Sequence, residues 1–444
     1  MANRQEIVCN YIYENYVQFS RLRHDVISNK TQINVQRDNV QGRKDWRDIT
    51  TSDINDIVCD CSSESGLQIT AREVMAVLQS HRIPDVHPLR EYVEDSKPWE
   101  EGHPDWIGWL SGQVTVAGGE EAQKLWRVCF TKWFVAMVAS WLKDEVVNQQ
   151  VLVLIGRQGI YKTTWLEHLL PPELRAYSCK MANSTQLNKD ERLRIAEYGL
   201  IALDEIDAMS AKELNVMKSV ITASDISERA AYGYTKERRV RLASFCASGN
   251  KQEFLTDLTG NRRWLPFEVE KIQNPFFVTL PYEQIYGEAK YLIDKGFQYW
   301  FDLEDIGTIE HHNEDFRAQE NEEQLLAVYF DIPAEGYGTF MTTAEISDKL
   351  VIKGSIKKPM SMSRLGMVLQ QAGFQSKRIN HGKTRGWLVR ERGLEEVNAN
   401  RNIEGPGRRV TGSHHFPKTI HPHTCVRYIN KGVTLSPRHP KKQD

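Results

Sequence analysis

A short loop between an apolar segment and a helical segment carries residues suited to holding phosphate groups. Residues 151–170 read VLVLIGRQGIYKTTWLEHLL, which predicts a buried strand, a turn and a helix. Backbone amides curled at a helix N-terminus bind anions. Lys162 would reach the terminal phosphates of a nucleotide, and the Thr163 hydroxyl would hold magnesium. The predicted nucleotide-binding residues are Gly156, Arg157, Gln158, Gly159, Ile160, Tyr161, Lys162, Thr163 and Thr164.

An apolar segment that ends in acids follows downstream, where residues 199–207 read GLIALDEID. Adjacent carboxylates at the end of a buried strand are costly unless they meet a cation or a donor. We expect Asp204 to coordinate magnesium through water and Glu205 to polarise the attacking water. The alternative is a helix N-terminus with acids near the positive end of its dipole. The spacing from the loop, which is that of a P-loop ATPase, favours the catalytic interpretation.

Two further segments add polar groups to this candidate site. Residues 241–250 (RLASFCASGN) predict a strand that ends at Asn250. If that strand lies between the first two, the amide can hold a water against the γ-phosphate; otherwise it caps a loop. Residues 259–264 (TGNRRW) then present Arg262 and Arg263 on a turn. In a ring of subunits one of them would stabilise transition-state charge on a neighbour's phosphate; ordinary surface arginines are the alternative.

Together these segments resemble the virulence-associated protein E family. Its members are P-loop ATPases of phages, plasmids and pathogenicity islands, related to superfamily 3 helicases and to primase–helicases. The matching pieces are HPLREYVEDSKPW, GRQGIYKTT, LIALDEID, CASGN and, most specific, LTGNRRWLPFEV, within roughly residues 85–270. The resemblance implies the following positions: Lys162 and Thr163 in Walker A, Asp204 and Glu205 in Walker B, Asn250 as sensor 1, and Arg262 or Arg263 as the arginine finger.

This chain departs from the family at Tyr161, where members usually have glycine. Glycine takes a positive φ freely, and tyrosine does so only at a cost. The lysine and the magnesium ligand remain, so we expect a retained ATPase with altered nucleotide affinity. The first 95 residues carry no primase signature, so the chain resembles a helicase part alone.

Residues 227–241 (SERAAYGYTKERRVR) place aromatic and basic residues around a glycine, which predicts a projecting hairpin. Phosphates attract the cations, and tyrosines stack on unpaired bases. In superfamily 3 helicases a hairpin just before sensor 1 projects into the central channel. A salt-bridged solvent hairpin is the alternative, and Arg229 would equally suit a nucleotide contact. The residues predicted to contact nucleic acid here are Arg229, Tyr232, Tyr234, Lys236 and Arg238.

The segment 338–390 has the order of elements of a winged helix. Thr342 and Glu345 form a capping box for a first helix, residues 361–371 form a second, and Gly373 is placed to end it. Two strands with basic residues follow. Winged helices bind duplex DNA with such a helix and wing, although many serve as protein contacts. The predicted contacts with DNA are Lys377, Arg378, Lys383 and Arg385.

The whole chain of 444 residues has a net charge of only -2 and a mean hydropathy of -0.51. No charged-then-apolar leader is evident, and seven cysteines lack a disulfide framework, so we expect a cytoplasmic protein that does not enter a membrane. We expect these parts: a small helical N-terminal region (1–95), a helical lead-in (96–150), a P-loop ATPase core (151–275), a helical connector (276–337), a winged-helix-like domain (338–392) and a basic disordered tail (393–444).

The fold we expect is α/β, with a P-loop AAA+-like core of the superfamily 3 helicase type. The expected function is an ATP- and Mg2+-dependent DNA helicase or translocase that serves replication of a mobile element. It would act as a hexameric ring on single-stranded or forked DNA, with a primase, if needed, supplied separately. One alternative is an ATP-binding regulatory or defence scaffold that unwinds nothing. Another is a DNA-binding protein with a decayed ATPase, which Tyr161 favours and the intact Lys162 and Asp204 oppose.

Overall fold

The computed structural model describes residues 3–35, 46–181, 189–228, 237–255, 260–318, 321–334, 338–354, 359–379, 384–393 and 396. The chain is mixed α/β with several sheets, and it divides into two units. The first comprises the described parts of residues 1–251 and 262–307, and the second those of residues 252–261 and 308–434. Within the described ranges, no helix combines the length and the apolar character that crossing a bilayer requires.

The N-terminal region combines helices with a sheet, so the expectation of a helical region is only partly right. Its helices are α1 (Arg4–Ile12), α2 (Thr51–Ser65), α3 (Ala71–Leu78) and α4 (Pro88–Glu94). Its strands are β1 (Leu22–Asp25), β2 (Lys30–Asn34), β3 (Trp46–Asp48) and β4 (Asp85–Val86), in the order β3-β2-β1-β4. These strands are short and polar, so the hydrophobic pattern of the sequence does not indicate them. A capping box of Thr70 and Glu73 begins α3.

The segment before residue 151 contains a strand as well as helices, so the expected helical lead-in needs correction. Its elements are α5 (Trp106–Ser111), β5 (Val114–Val116) and α6 (Gly119–Leu142). The apolar stripe of α6 is core, and its indoles donate hydrogen bonds to backbone carbonyls along the sheet. Trp133 Nε1 donates to Phe245 O at 3.2 Å, and Trp141 Nε1 donates to Gly199 O at 3.4 Å. The helix thus supports two strands at once.

A six-stranded sheet forms the centre of the first unit. Its remaining elements are β6 (Val151–Ile155), α7 (Lys162–Glu167), β7 (Ser178–Met181), α8 (Lys189–Glu197), β8 (Leu200–Leu203), α9 (Ala211–Thr222), β11 (Ser244–Gly249) and β12 (Trp264–Ile272), with the hairpin strands β9 (Asp225–Glu228) and β10 (Glu237–Val240) between α9 and β11. The order is β5-β12-β6-β11-β8-β7, and every pair is parallel except β5–β12. The sheet is therefore mainly parallel. Strands β6, β8 and β11 are buried along their whole length, which explains their continuous apolar runs.

A buried arginine holds the amino edge of this sheet together. Arg241 is 1% exposed and donates to backbone carbonyls of Asn148, Ala223, Ile221 and Ala243, with Nη2 at 2.6 Å from Asn148 O. Burial lowers the pKa of its guanidinium to about 9. The cation therefore ties the end of α9 to the segment that enters β6.

The first unit continues with α10 (Tyr282–Asp294), and α11 (Leu303–Asn313) follows it in the chain. The second unit contains α12 (Asn321–Tyr329), β13 (Phe330–Asp331), β14 (Thr339–Met341), α13 (Thr343–Gly354), α14 (Met362–Gln371), β15 (Ser376–Ile379) and β16 (Thr384–Glu391). Strands β13, β14 and β15 each pair antiparallel with β16. The capping box of Thr342 and Glu345 and the αL glycine after α14 are both where the sequence predicts them.

Candidate active site

The carboxyl ends of three neighbouring strands bring the predicted site residues together. Ile155 at the end of β6 pairs with Gly249 at the end of β11, and Ala247 of β11 pairs with Leu203 at the end of β8. Because parallel strands end at the same edge, the segments that follow them are adjacent. The strand before Asn250 lies between the other two, as the sequence predicts.

The 156–161 loop has a tight backbone path despite its missing glycine. A side chain at Gly156 would place its Cβ 2.8 Å from Val269 O on β12, so only glycine fits there. Tyr161 takes φ 69° and ψ 17°, the left-handed conformation that glycine would adopt. Its carbonyl accepts from Trp165 N at 2.8 Å as α7 begins. The loop backbone therefore follows the path that a glycine at this position would allow, and the tyrosine is locally strained. Arg157, Gln158, Gly159 and Ile160 lie on the same turn, and Thr164 lies in the first turn of α7.

Lys162 lies at the mouth of this loop. Its Nζ donates to Gly156 O at 2.8 Å and to Arg157 O at 2.7 Å, and it approaches Asn250 Oδ1 at 3.4 Å. Burial lowers the pKa of the ammonium, and the charges of Asp207 and Asp204 oppose that shift. The cation is thus held by two backbone oxygens inside the loop.

Three side-chain oxygens meet beside the lysine. Thr163 Oγ1 lies 3.0 Å from Ser248 Oγ and 3.4 Å from Asp204 Oδ1, and Ser248 Oγ donates to Asp204 Oδ1 at 2.7 Å. Hydroxyl and carboxylate oxygens are the donors that Mg2+ prefers, completed by phosphates and water. Among the described residues, no group of three or more His, Cys, Asp or Glu forms a metal cage. The oxygen set therefore fits a cation shared with phosphate.

Sequence reasoning missed Ser248, which is 4% exposed and bridges the other two oxygens. Its position two residues before Asn250 on a buried strand was the available signal. Nothing local could show that its hydroxyl faces Thr163, because that depends on the register between β11 and β6.

Asp207 is a second residue to which the sequence assigned no role. Its carboxylate accepts from Asn250 N at 3.0 Å and from Lys251 N at 3.2 Å. A Cβ added at Gly249 would lie 2.7 Å from Asp207 Oδ1, so glycine is needed for this close approach. The acid fixes the turn that aims Asn250 at the lysine.

Glu205 follows Asp204 in a left-handed conformation, with φ 53° and ψ 47°. Its amide donates to Asp204 Oδ1 at 3.2 Å, and its side chain is exposed at the mouth of the site. A non-glycine residue held in this region stores local strain, which concentrates at functional sites. The Glu205 carboxylate is therefore exposed to solvent at the edge of the sheet and does not contact the side-chain oxygens of Thr163, Ser248 and Asp204.

Arg262 and Arg263 lie at the other edge of the sheet. They are the last two residues of the turn before Trp264. Trp264 pairs with Val151, the first residue of β6. The loop follows the last residue of β6, and four residue steps along a parallel strand cover about 13 Å. Arg262 is exposed and Arg263 is partly buried. Within one chain, neither arginine joins the cluster around Lys162.

The predicted nucleic-acid residues are only partly described. Strands β9 and β10 form the antiparallel stem of the predicted hairpin, and Arg238 lies on β10 opposite Ser227. The other residues predicted to contact nucleic acid in this segment, Arg229, Tyr232, Tyr234 and Lys236, lie outside the described residues, as does Lys383. One stem arginine, Arg239, is ion-paired with Glu197 at 2.8 Å, as the salt-bridged alternative would have it.

Three basic residues are exposed on the β15–β16 hairpin of the second unit. Lys377, Arg378 and Arg385 all reach solvent, and Arg378 lies directly opposite Arg385. Like charges placed opposite each other across a strand pair repel. An anion bound between them would relieve that repulsion.

Comparisons with known proteins identify the central part of the chain. Residues 110–319 match the family model of the virulence-associated protein E-like domain. The structure titled "The apo structure of NrS-1 C terminal region (305-718)" is 13% identical, with a TM-score of 0.44, and the match covers 87% of this chain and 100% of that one. The A form apo structure of the same region is 12% identical, with a TM-score of 0.43, and the match covers 86% of this chain and 100% of that one. No curated protein sequence matches this chain.

Proposed function

We propose that this chain, whose residues 110–319 form a virulence-associated protein E-like domain, is an ATP- and magnesium-dependent DNA helicase or translocase. In this proposal the first unit carries a P-loop AAA+-like core, and the second unit carries a winged-helix-like domain. The protein would serve the replication of a mobile element. The observation that carries the proposal is that two hydrogen-bonded pairs, Lys162 with Asn250 and Thr163 with Asp204, lie at the same edge of the sheet.

The loop and its lysine are suited to holding the phosphates. Lys162 Nζ now donates to two loop carbonyls, and the same donors would pair with phosphate oxygens. Thr163 and Asp204, with Ser248 behind them, would hold Mg2+. The bound ion supplies charge neutralisation on the phosphate oxygens.

Hydrolysis would follow from the exposed acid Glu205 and the amide of Asn250. Glu205 would accept a proton from water as the water oxygen attacks the γ-phosphorus. The bond from that phosphorus to the β–γ bridging oxygen breaks, which gives ADP and inorganic phosphate. Asn250, fixed through its amide by Asp207, would hold the water in line.

A neighbouring subunit would complete the site. Arg262 and Arg263 are too far along β12 to serve the loop of their own chain, because an arginine side chain is shorter than the length of β6. Subunits arranged in a ring would bring one of them to a neighbour's γ-phosphate. We therefore favour a ring in which nucleotide binds between subunits, and a hexamer is the state we expect.

Single-stranded or forked DNA is the substrate that the two basic hairpins favour. The stem of the β9–β10 hairpin lies between α9 and β11, the strand that ends at Asn250, so a change at the nucleotide can reach it through one short segment. The exposed cations of the β15–β16 hairpin are suited to phosphate contacts. A primase, if the element needs one, would be a separate protein.

The test measures ATP hydrolysis with and without single-stranded DNA, together with strand displacement on a forked duplex. Lys162→Ala and Glu205→Gln are the inactive references, and Lys124→Ala, an exposed lysine on α6, is the matched control. We expect DNA-stimulated hydrolysis and displacement in the wild type and the control only. Wild-type hydrolysis no greater than that of Lys162→Ala would refute the ATPase. Hydrolysis without displacement would favour a scaffold.

A further inference from the structure

We infer that an aromatic platform beside the 156–161 loop binds the nucleobase of the nucleotide, an inference that rests on the proposed function. The platform consists of Tyr161, Phe276 and Phe277, whose side chains are 38%, 70% and 87% exposed. Large apolar rings so exposed, on and next to a loop suited to phosphates, indicate a ligand that stacks on them.

The platform lies on the side of the loop where the base must go. The acids and Asn250 follow β8 and β11, on one side of β6, so the terminal phosphate belongs there. Strand β12 lies on the other side of β6, and Glu268 of β12 pairs with Ile155. Residues 273–280 therefore leave the sheet at the same edge as the loop. A nucleotide with its γ-phosphate toward β11 extends its ribose and base toward this segment.

Hydrogen bonds fix the platform to the loop. Asn274 Nδ2 donates to Tyr161 Oη at 3.3 Å, and Asn274 Oδ1 accepts from Phe276 N at 3.0 Å. Phe277 N donates to Asn274 O at 3.1 Å. Tyr161 is thus part of the platform as well as the last residue of the loop. This gives a functional reason for a residue that costs backbone strain.

A residue at the end of α7 contacts the platform. The ring of His168 meets the edge of Phe276 at 5.8 Å between centroids. His168 also lines a cleft of about 470 Å³ with Val278, Leu280 and Tyr282. None of the three platform residues lines that cleft, so stacking on the rings is the contact that we assign to the base. Both polar atoms of the Asn274 side chain are engaged within the platform, so the segment offers ring faces to the base, and we expect ATP and GTP to bind with similar affinity.

The experiment compares a ligand that has a base with one that lacks it. Calorimetric titration with ATP, GTP and inorganic tripolyphosphate, each with Mg2+, is carried out on the wild type and on the double variant Phe276→Ala, Phe277→Ala. We expect the double variant to bind ATP and GTP about tenfold more weakly, as loss of one base–aromatic stack predicts. Binding of tripolyphosphate should not change. The matched control is Phe19→Ala, a 62% exposed phenylalanine in the N-terminal region, which should alter neither.

Other outcomes separate the platform from the phosphate site. If the double variant binds ATP like the wild type, the platform does not hold the base; if it also loses self-association in sedimentation, the platform is a contact for a second copy of the chain. If the wild type binds neither ATP nor tripolyphosphate, the proposed function itself fails. Thermal unfolding checks that the double variant is folded, which exposed side chains should permit.

Discussion

The two edges of the six-stranded sheet hold their charged groups in different ways. At the carboxyl edge the charged groups have polar side-chain partners: Lys162 bonds to Asn250, and Asp204 accepts from Thr163 and Ser248. At the amino edge, Arg241 is buried among carbonyls, whereas Arg262 is exposed at the start of β12. The comparison suggests a division of labour, in which one edge binds the nucleotide and the other edge offers an arginine to a different subunit.

The arginines of the turn before β12 should show the largest effect. Arg262→Ala and Arg263→Ala, made separately, distinguish the finger from its neighbour. An arginine finger contributes about 1000-fold or more to turnover, so we expect kcat for ATP hydrolysis to fall by about that factor in one variant. Nucleotide affinity measured by titration should hardly change if, as we propose, the arginine acts from another subunit. Normal turnover in both variants would remove the amino edge from catalysis.

Arg241 tests the structural arginine of the same edge. Arg241→Met leaves the carbonyls at the end of α9 and before β6 without their donor. Each buried group left unpaired costs about 1–3 kcal/mol, so the free energy of unfolding should fall by about 3 kcal/mol. Denaturant unfolding measures this. The contrast with Arg262 fails if Arg241→Met is as stable as the wild type and has instead lost turnover.

Ser248 sharpens the account of the carboxyl edge. Ser248→Ala removes the hydroxyl that bridges Thr163 and Asp204, without adding bulk. We expect the Mg2+ concentration that gives half-maximal hydrolysis to rise about tenfold, as outer-shell partners of metal ligands commonly contribute. Excess Mg2+ should restore turnover. Ser140→Ala, a buried serine on α6, is the matched control. An unchanged Mg2+ requirement would mean that the hydroxyl serves packing alone.

Tyr161→Gly should give the smallest change in stability. Glycine removes the strain of a left-handed tyrosine, which raises the free energy of unfolding by about 1 kcal/mol. The same change loses the hydrogen bond from Asn274, which lowers it. These contributions are opposed, so the free energy of unfolding should change by no more than about 1 kcal/mol. ATP affinity should fall, because the ring leaves the platform. A large loss of stability would show that the tyrosine is a packing residue first.

The sequence predicted those parts of the molecule whose signals are local. Short patterns specify the strand, loop and helix around Lys162, the strands before Asp204 and Asn250, and the capping box that begins at Thr342. Each of these is where the pattern indicated. Tyr161 raised doubt about the loop because its type, read alone, disfavours the left-handed conformation that it nevertheless adopts.

What sequence reasoning missed depends on contacts between distant segments. Strand β5 and the short polar strands of the N-terminal sheet gain their partners only in the fold. The roles of Ser248 and Asp207 depend on register across three strands. The distance of Arg262 from the loop follows from the parallel pairing of β12 with β6, which no spacing along the chain specifies.

The division between the two edges is tested most directly by mixing two inactive proteins. Lys162→Ala subunits have a defective loop and an intact arginine, whereas subunits of the inactive arginine variant have the reverse. At constant total protein concentration, the account predicts that the mixture hydrolyses ATP faster than the sum of the separate proteins, because some interfaces combine an intact loop with an intact arginine. Hydrolysis equal to that sum, with both variants still assembling together in sedimentation, would contradict it.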